Sequence, residues 1–338
     1  MSVKPNAGRE VGRRGGGRSG AGKVLAAAGL AVATALALGV GPAFASGTWT
    51  KLSPSSSPSA RNAAGIAYDK ATHTTVLFGG TKGSSRLADT WHWDGTTWRK
   101  LSPSTSPSAR SGPAMAYDDA LGLVVLFGGS DGSTYDSDTW TWNGTIWKKV
   151  STASAPSARR GASLSSTGSN GVVLFGGFDG TTYFSDTWTF NGSTWSKKSP
   201  SSSPSARTDA GIAHSGSAST TVLFGGSNGS TYDSDTWTWN GTTWTLQTGT
   251  GPSARSQPSM AYDFGKAKIV LFGGKNATTY LGDTWIWDSG WKEQTISTSP
   301  SARASAAFAA YGGASSGVGI LFGGISDAGH LSDTWKFS

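Results

Sequence analysis

The tetrapeptide Pro-Ser-Ala-Arg occurs six times in this chain of 338 residues, at steps of 49, 49, 48, 48 and 48 residues. Its arginines are Arg61, Arg110, Arg159, Arg207, Arg255 and Arg303. A Leu-Phe-Gly-Gly run and then an Asp-Thr-Trp run follow each copy at nearly constant spacing. A period of this length indicates that one supersecondary unit has been copied six times.

Each unit contains four short β-prone runs between turn signals, which in the first unit are residues 63–68, 74–80, 89–93 and 96–101. An Asp-Gly or Asn-Gly pair joins the third and fourth runs in four units and predicts a type I′ hairpin turn. These pairs are Asp94-Gly95, Asn143-Gly144, Asn191-Gly192 and Asn240-Gly241. Each unit is therefore expected to be a four-stranded antiparallel sheet. Six such sheets bury both faces when they pack around an axis, so the sequence predicts an all-β, six-bladed β-propeller.

The last unit has no fourth run, whereas residues 48–52 at the other end of the propeller region read Thr-Trp-Thr-Lys-Leu. We expect this segment to pair beside the strand that contains Trp335 and Phe337, which would close the ring and leave no open sheet edge. Tryptophans two apart on a third run, such as Trp91 and Trp93, share one strand face. They are predicted to fill the space between blades.

The repeat resembles a known family. Paired glycines after an apolar strand, an aromatic residue on the third strand, a Trp on the fourth and an Arg before the next blade are similar to Kelch repeats over about residues 47–338. The Pro-Ser-Ala-Arg and Asp-Thr-Trp variants resemble bacterial Kelch modules of the type found in the central domain of galactose oxidase. The resemblance implies that the six repeat arginines can reach ligand carboxylates.

Residues 1–45 differ in composition from the repeats. Six basic residues precede an uncharged apolar run that begins at Val24 and ends in Ala43-Phe44-Ala45. These features predict a cleavable secretory signal, with cleavage after Ala45 and one propeller domain over residues 46–338. The alternative is an uncleaved membrane anchor, which would be the only expected contact with a membrane. The Arg-rich leader favours a bacterial protein that is secreted or held in the cell envelope.

The net charge of +8 comes mostly from the leader. Without its six basic residues and Glu10, the chain has 22 basic and 19 acidic residues and no clustered basic stripe, so nucleic acid is not an expected partner.

The chain has no cysteine, so packing within the closed ring must stabilise it. We expect a monomer.

One rim of the ring is the predicted binding face. In an antiparallel blade, the segment that enters the first strand and the loop between the second and third strands lie at the same end, and both are long here. The loop after each Gly-Gly has eight residues, whose sixth residues are Arg86, Tyr135, Tyr183, Tyr232, Tyr280 and His330. First residues of these loops include Phe178 and Lys275. Such tyrosines stack on sugars or peptides, or alternatively clamp each loop onto the neighbouring blade.

The repeat arginines admit two interpretations. Six guanidinium groups facing bulk solvent would repel each other, so pairing of each with the Asp of an Asp-Thr-Trp is favoured. The ligand-binding role implied by the resemblance stays open, and acidic ligands would suit it.

Departures from the repeat indicate further candidates, because a single ligand lacks six-fold symmetry. Next to the repeat arginines the chain has Asn62, Arg160, Asp209 and Gln257, where other blades have Ser, Thr, Ala or Gly. We expect these residues near the mouth of the axial channel.

No catalytic constellation is recognisable. The absence of cysteine excludes a copper radical oxidase of the galactose oxidase type. The four histidines are dispersed over three repeats at different strand positions, so neither a metal site nor a cofactor is expected. His214 is interpreted as a routine replacement of the aligned Tyr68, Tyr117 and Tyr262. The preferred function is a secreted, non-catalytic propeller that binds an extracellular protein or glycan. The alternatives are an acidic-sugar isomerase or lyase, such as a sialic-acid mutarotase, and a structural envelope module.

Overall fold

The computed structural model describes residues 47–168, 170–312 and 318–338, so the predicted leader lies outside the described residues. These ranges form six four-stranded antiparallel sheets and two short two-stranded ones. Neighbouring blades in the chain are neighbours in the ring, and the first blade contacts the sixth. The predicted all-β, six-bladed propeller is confirmed. Over the same ranges no helix is long and apolar enough to cross a membrane.

Five blades are continuous in sequence, and each runs from its innermost to its outermost strand in chain order. Blade 1 consists of β2 (Gly65–Asp69), β3 (Thr74–Phe78), β6 (Thr90–Trp93) and β7 (Trp98–Leu101). Blade 2 consists of β8 (Ala114–Asp118), β9 (Leu123–Phe127), β10 (Thr139–Trp142) and β11 (Trp147–Val150). Blade 3 consists of β12 (Ser163–Ser166), β13 (Val172–Phe175), β14 (Thr187–Phe190) and β15 (Trp195–Lys198).

Blade 4 consists of β16 (Gly211–Ser215), β17 (Thr220–Phe224), β18 (Thr236–Trp239) and β19 (Trp244–Gln247). Blade 5 consists of β20 (Ser259–Asp263), β21 (Lys268–Lys275), β22 (Tyr280–Trp287) and β23 (Trp291–Gln294). The short strands in the loops after Gly-Gly are β4 (Thr81–Lys82), β5 (Ser85–Arg86), β26 (Ile325–Ser326) and β27 (Gly329–His330).

Blade 6 is completed from the other end of the propeller sequence. Its strands are β24 (Ala307–Tyr311), β25 (Val318–Phe322), β28 (Thr334–Phe337) and β1 (Trp49–Leu52). In the antiparallel pair β1–β28, Trp49 lies opposite Phe337 and Lys51 opposite Trp335. The predicted closure by the N-terminal strand is confirmed, and it satisfies the outer edge of β28.

The predicted type I′ turns are wrong. Trp93 and Trp98 are directly opposite each other, so the loop between them has four residues. Within it only Gly95 has a positive φ, of 103°, whereas a type I′ turn requires two such residues. The Asp94 carboxylate accepts the backbone N–H groups of Thr96 and Thr97 at 3.0 and 2.9 Å. The side-chain oxygen therefore closes the turn, and the Asn-Gly loops of three other blades are closed in the same way.

Tryptophan joins each blade to the one before it. The Trp147 indole of blade 2 lies edge-on to Phe78 of blade 1 at 5.4 Å and donates to the Thr90 hydroxyl at 3.0 Å. The Trp that begins the fourth strand of each other blade makes the equivalent two contacts. Trp93 is buried in a hydrophobic cluster formed by residues of blades 1 and 6, and Trp91 packs against this cluster. The prediction that these tryptophans fill the space between blades is confirmed.

The repeat arginines and the Asp of each Asp-Thr-Trp form buried ion pairs. Arg61, 1% exposed, donates to both carboxylate oxygens of Asp89, at 2.6 and 2.8 Å, and to the carbonyl of Gly79. Asp89 also accepts the indole N–H of Trp91. Burial opposes ionisation, but the hydrogen bonds from Arg61 and Trp91 outweigh it and lower the Asp89 pKa. The pKa is lowered in the same way at Asp138, Asp235, Asp283 and Asp333.

The Gly-Gly pairs let the next blade approach closely. Gly80 N–H donates to the carbonyl of Arg110, at 2.9 Å, and the other five blades repeat this bond. Gly79 has a φ of 68°, and a Cβ placed there would lie 2.6 Å from the same carbonyl oxygen. Backbone contact at this distance excludes any side chain, which explains why both positions are glycine in each repeat.

Replacing Trp49 by Ala tests the closure of the ring. Trp49 is buried against Phe272, Phe308 and Phe337, so its removal should lower the free energy of unfolding by about 3–5 kcal/mol. The control Lys51→Ala, at an exposed position of the same strand, should change it by less than about 0.5 kcal/mol. Urea unfolding measures both. Equal stability of Trp49→Ala and the wild type would refute closure by β1.

Replacing Asp89 by Asn tests the buried ion pairs. The change leaves the Arg61 charge buried and unpaired, which should cost about 3–5 kcal/mol of unfolding free energy. The control Asp94→Asn places at this hairpin the residue that blades 2, 3 and 4 already have. It breaks a pair with the largely exposed Arg99, so its cost should stay below about 1 kcal/mol. A similar loss of unfolding free energy in the two variants would contradict the assignment of Arg61 and Asp89 as a buried ion pair.

The same variant has a predicted pH dependence. The pKa of Asp89 is lower in the folded than in the unfolded chain, so the pair stabilises the fold above the unfolded value of about 4. This stability is lost as the pH falls through the folded pKa. The difference in unfolding free energy between wild type and Asp89→Asn should therefore be full at pH 7 and shrink below about pH 4. A difference that is constant with pH would contradict the ion pair.

Candidate functional site: the arginine rim

The Pro-Ser-Ala-Arg segments and the loops after Gly-Gly lie at the same end of the propeller, which we call the arginine rim. In each blade a β-bridge joins the residue after the repeat arginine to the first residue of the loop. These bridges are Asn62 to Thr81, Ser111 to Ser130, Arg160 to Phe178, Thr208 to Ser227, Ser256 to Lys275 and Ala304 to Ile325. The predicted sharing of one rim is confirmed.

The repeat arginines lie beneath this rim. All five N–H groups of Arg61 are used: Nε by the Ser59 carbonyl, the others by Gly79, the Ser59 hydroxyl and the two Asp89 oxygens. Arg110, Arg159, Arg207, Arg255 and Arg303 make the same five bonds. No donor is left for a ligand carboxylate, so their role is structural, as the favoured interpretation predicted.

The sixth residues of the loops pack against the next blade. A Cβ at Gly180 would lie 2.9 Å from the Tyr135 ring, and one at Gly229 would lie 2.3 Å from the Tyr183 hydroxyl. Arg86 lies against Gly132 in the same way. Arg86, Tyr135 and Tyr183 therefore clamp neighbouring loops while staying partly exposed. The equivalent Tyr232, Tyr280 and His330 are also partly exposed.

Three aromatic side chains meet on one sector of the rim. Phe178 stacks on Tyr183 at 4.4 Å between ring centroids and lies edge-on to Tyr135 at 6.2 Å. We call Tyr135, Phe178 and Tyr183 the rim aromatic cluster. At the position of Phe178 the neighbouring blades have Ser130 and Ser227, so the cluster is confined to blades 2 and 3. The partly exposed Arg160 lies beside it, bridged to Phe178 through the backbone.

A closed circuit of backbone hydrogen bonds encircles the axis just inside this rim. One residue from each blade donates its N–H to the carbonyl of the preceding blade's residue, at 2.7 to 3.1 Å. All six residues have φ between 51° and 63°. They are Ala63, Gly112, Gly161, Asp209, Gln257 and Ser305. Residues bonded in this way lie about 5 Å apart, so the circuit has a radius of about 5 Å. The channel is constricted at this end.

The predicted channel-mouth residues belong to this circuit or flank it. Asp209 and Gln257 are members, and the Gln257 amide donates to the Asp209 carboxylate at 3.4 Å. Burial raises the Asp209 pKa, and the nearby positive charges of Arg160 and Lys275 only partly offset it. Asn62 and Arg160 each precede a circuit residue. These four positions therefore surround the axis at the arginine rim, where the circuit narrows the channel.

The channel instead widens towards the opposite rim, which carries the loops between first and second strands and which we call the hairpin rim. A cavity of about 560 Å³ opens there and is lined by residues of all six innermost strands. Its wall includes Tyr68, Tyr117, His214 and Tyr262. Sequence reasoning missed this cavity, although the recurrence of these large residues at the fourth position of four innermost strands was the available signal.

Groups suited to catalysis or metal binding are not clustered. Over the three described ranges, no group of three or more His, Cys, Asp or Glu side chains could hold a metal ion. Glu293 lies exposed on β23, the outermost strand of blade 5, away from the axis.

Comparison with known proteins agrees with the repeat architecture. The family model described as the KLHDC2/KLHL20/DRC7 Kelch-repeats domain matches residues 43–226 and 193–338. No curated protein matches the chain. The matched segments together span most of the chain. The chain therefore belongs to the Kelch-repeat family.

Proposed function

We propose that this protein is a non-catalytic binding propeller that acts outside a bacterial cell, secreted or in the envelope, and recognises a protein or carbohydrate on the arginine rim. The observation that carries the proposal is the rim aromatic cluster. Its partly exposed rings lie on the one sector of the rim that also has Arg86 and Arg160. Aromatic faces beside guanidinium groups suit a sugar or peptide that carries a carboxylate.

The asymmetry of this sector supports a binding role. A residue needed only for the repeat would recur in every blade, whereas the first loop residue is Phe in blade 3, Ser in blades 2 and 4, and Ile in blade 6. The buried repeat arginines cannot recognise an acidic group, because their donors are used. Arg86 and Arg160 are the guanidinium groups that remain partly exposed beside the cluster.

A second candidate, isomerisation of an acidic sugar, has one observation in its favour. The Asp209 pKa is raised by burial, and Arg160 is close enough to act on it electrostatically. A carboxyl group with a raised pKa beside a guanidinium suits proton transfer to a bound acid. However, Gln257 and the backbone circuit hold Asp209 in place. Among the described residues whose pKa is shifted, no second acid or base lies beside it. Binding without catalysis is therefore preferred.

Replacing Phe178 by Ser tests the proposed site. The repeat tolerates Ser at this position, because blades 2 and 4 already have it there. The matched control is Ile325→Ser, at the same loop position of blade 6, which lies opposite blade 3 in the ring. Calorimetric titration of the purified protein with sialic acid, uronic acids, neutral glycans and cell-wall polymers should find a ligand. Phe178→Ser should weaken its binding roughly tenfold or more, whereas Ile325→Ser should not.

A ligand that binds both variants as tightly as the wild type would disprove recognition by the rim aromatic cluster. Absence of binding by every compound tested would exclude recognition of these carbohydrates and leave a protein-binding or structural propeller. Mutarotation of sialic acid by the wild type but not by Asp209→Asn would favour the isomerase.

A further inference from the structure

The cavity at the hairpin rim has the size and shape of a small-molecule site. Its volume of about 560 Å³ falls within the range of roughly 300–1,000 Å³ that is usual for ligand pockets. The backbone circuit constricts the far end of the channel, so the cavity is a pocket with one wide opening. It is separate from the arginine rim, and nothing in the proposed function uses it.

The floor of the cavity is apolar. It is formed by the second residues of the six innermost strands, which are Ile66, Met115, Leu164, Ile212, Met260 and Phe308. The third residues are alanine in five blades and Ser165 in blade 3. The side chains of the floor offer no hydrogen-bond partner to the hydroxyl groups of a sugar, so they favour an apolar ligand.

The wall above the floor is shaped as a slot. The fourth residues of the innermost strands are Tyr68 and Tyr117 in blades 1 and 2, and His214 and Tyr262 in blades 4 and 5. Blades 3 and 6, which lie opposite each other, have the small Ser166 and Ala310 instead. Two aromatic pairs thus face each other across a gap, which admits a flat molecule more readily than a round one.

The slot carries no net charge near neutral pH. Burial lowers the pKa of the His214 imidazole, so the ring is neutral there, and burial raises the pKa of the Tyr68 and Tyr117 hydroxyls. The charged groups that face His214 are Lys70 and Asp119, which pair with each other at the opening. Asp119 also accepts the Ser166 hydroxyl at 2.8 Å. A charged guest would therefore lose its hydration without gaining a free counter-charge.

One end of the slot is covered. Phe264, from the loop after the first strand of blade 5, lies 5.1 Å from Tyr262 and reaches to 6.3 Å from Tyr68 of blade 1. Its ring therefore spans blade 6, where Ala310 leaves space, and Lys70 lies 5.2 Å from the ring centroid. At the other end of the slot, the wall at blade 3 is formed by the small residues Ser165, Ser166 and Gly168.

We propose that this cavity binds a flat, uncharged, mainly apolar molecule, such as an aromatic ring compound, which lies edge-on beside Ser166 between the two aromatic pairs. The apolar floor provides the driving force, and the slot provides the preference for a planar shape.

Replacing Ser166 by Tyr tests the slot, because Tyr already stands at this position in blades 1, 2 and 5. The bulky ring should fill the gap at blade 3 and weaken binding of indole, the probe, at least tenfold. The control Ser166→Ala removes the hydrogen bond to Asp119 but leaves the gap unfilled, so it should retain binding. Indole-3-acetate and glucose should bind the wild type at least tenfold more weakly than indole.

The methionines supply an independent readout. The chain has three, and both methionines of the propeller, Met115 and Met260, lie in the cavity floor. In a protein labelled with ¹³C at the methionine methyl groups, indole should shift both of these resonances, and this measurement needs no variant. Indole that does not bind, that binds without moving either resonance, or that binds Ser166→Tyr as tightly as Ser166→Ala would overturn the proposal.

Discussion

The buried pairing of each repeat arginine with the Asp of the following Asp-Thr-Trp is the interaction on which the ring depends. A guanidinium group with 1% exposure is tolerated only when every N–H is bonded, and here one carboxylate, two carbonyls and a hydroxyl achieve this in each blade. The carbonyl of the same arginine accepts the glycine N–H of the blade before it. One residue thus fixes its own blade and joins it to its neighbour.

The hydrogen-bonding groups of the repeated motifs are used within this framework, so the residues available for recognition are those that do not repeat. In Asp-Thr-Trp, the Asp binds Arg, the Thr accepts the next blade's indole and the Trp donates back to the Asp. Asymmetry is found at both ends of the axis instead. The arginine rim has an aromatic cluster on one sector, and the hairpin rim has an apolar slot that interrupts a ring of aromatic side chains.

The blades, their order, the closing strand and the Arg–Asp pairs were predictable because each follows from a pattern at fixed spacing. The turn type was not, since it depended on Trp93 facing Trp98, which lengthened the loop and let the Asp94 side chain close it. The constriction of the channel was also missed. Asp209 and Gln257 adopt a positive φ because hydrogen bonds from neighbouring blades hold them there, and the aligned Gly112 and Gly161 were the available signal in the repeat.

The most direct test of the account is hydrogen exchange at the arginine side chains, measured by ¹⁵N NMR of the Nε–H groups in the folded protein. The account predicts slow exchange at the six repeat arginines, whose Nε–H groups are buried and bonded to serine carbonyls, and fast exchange at the exposed Arg99. Exchange at the repeat arginines as fast as at Arg99 would contradict it, and would return these residues to the set available for ligands.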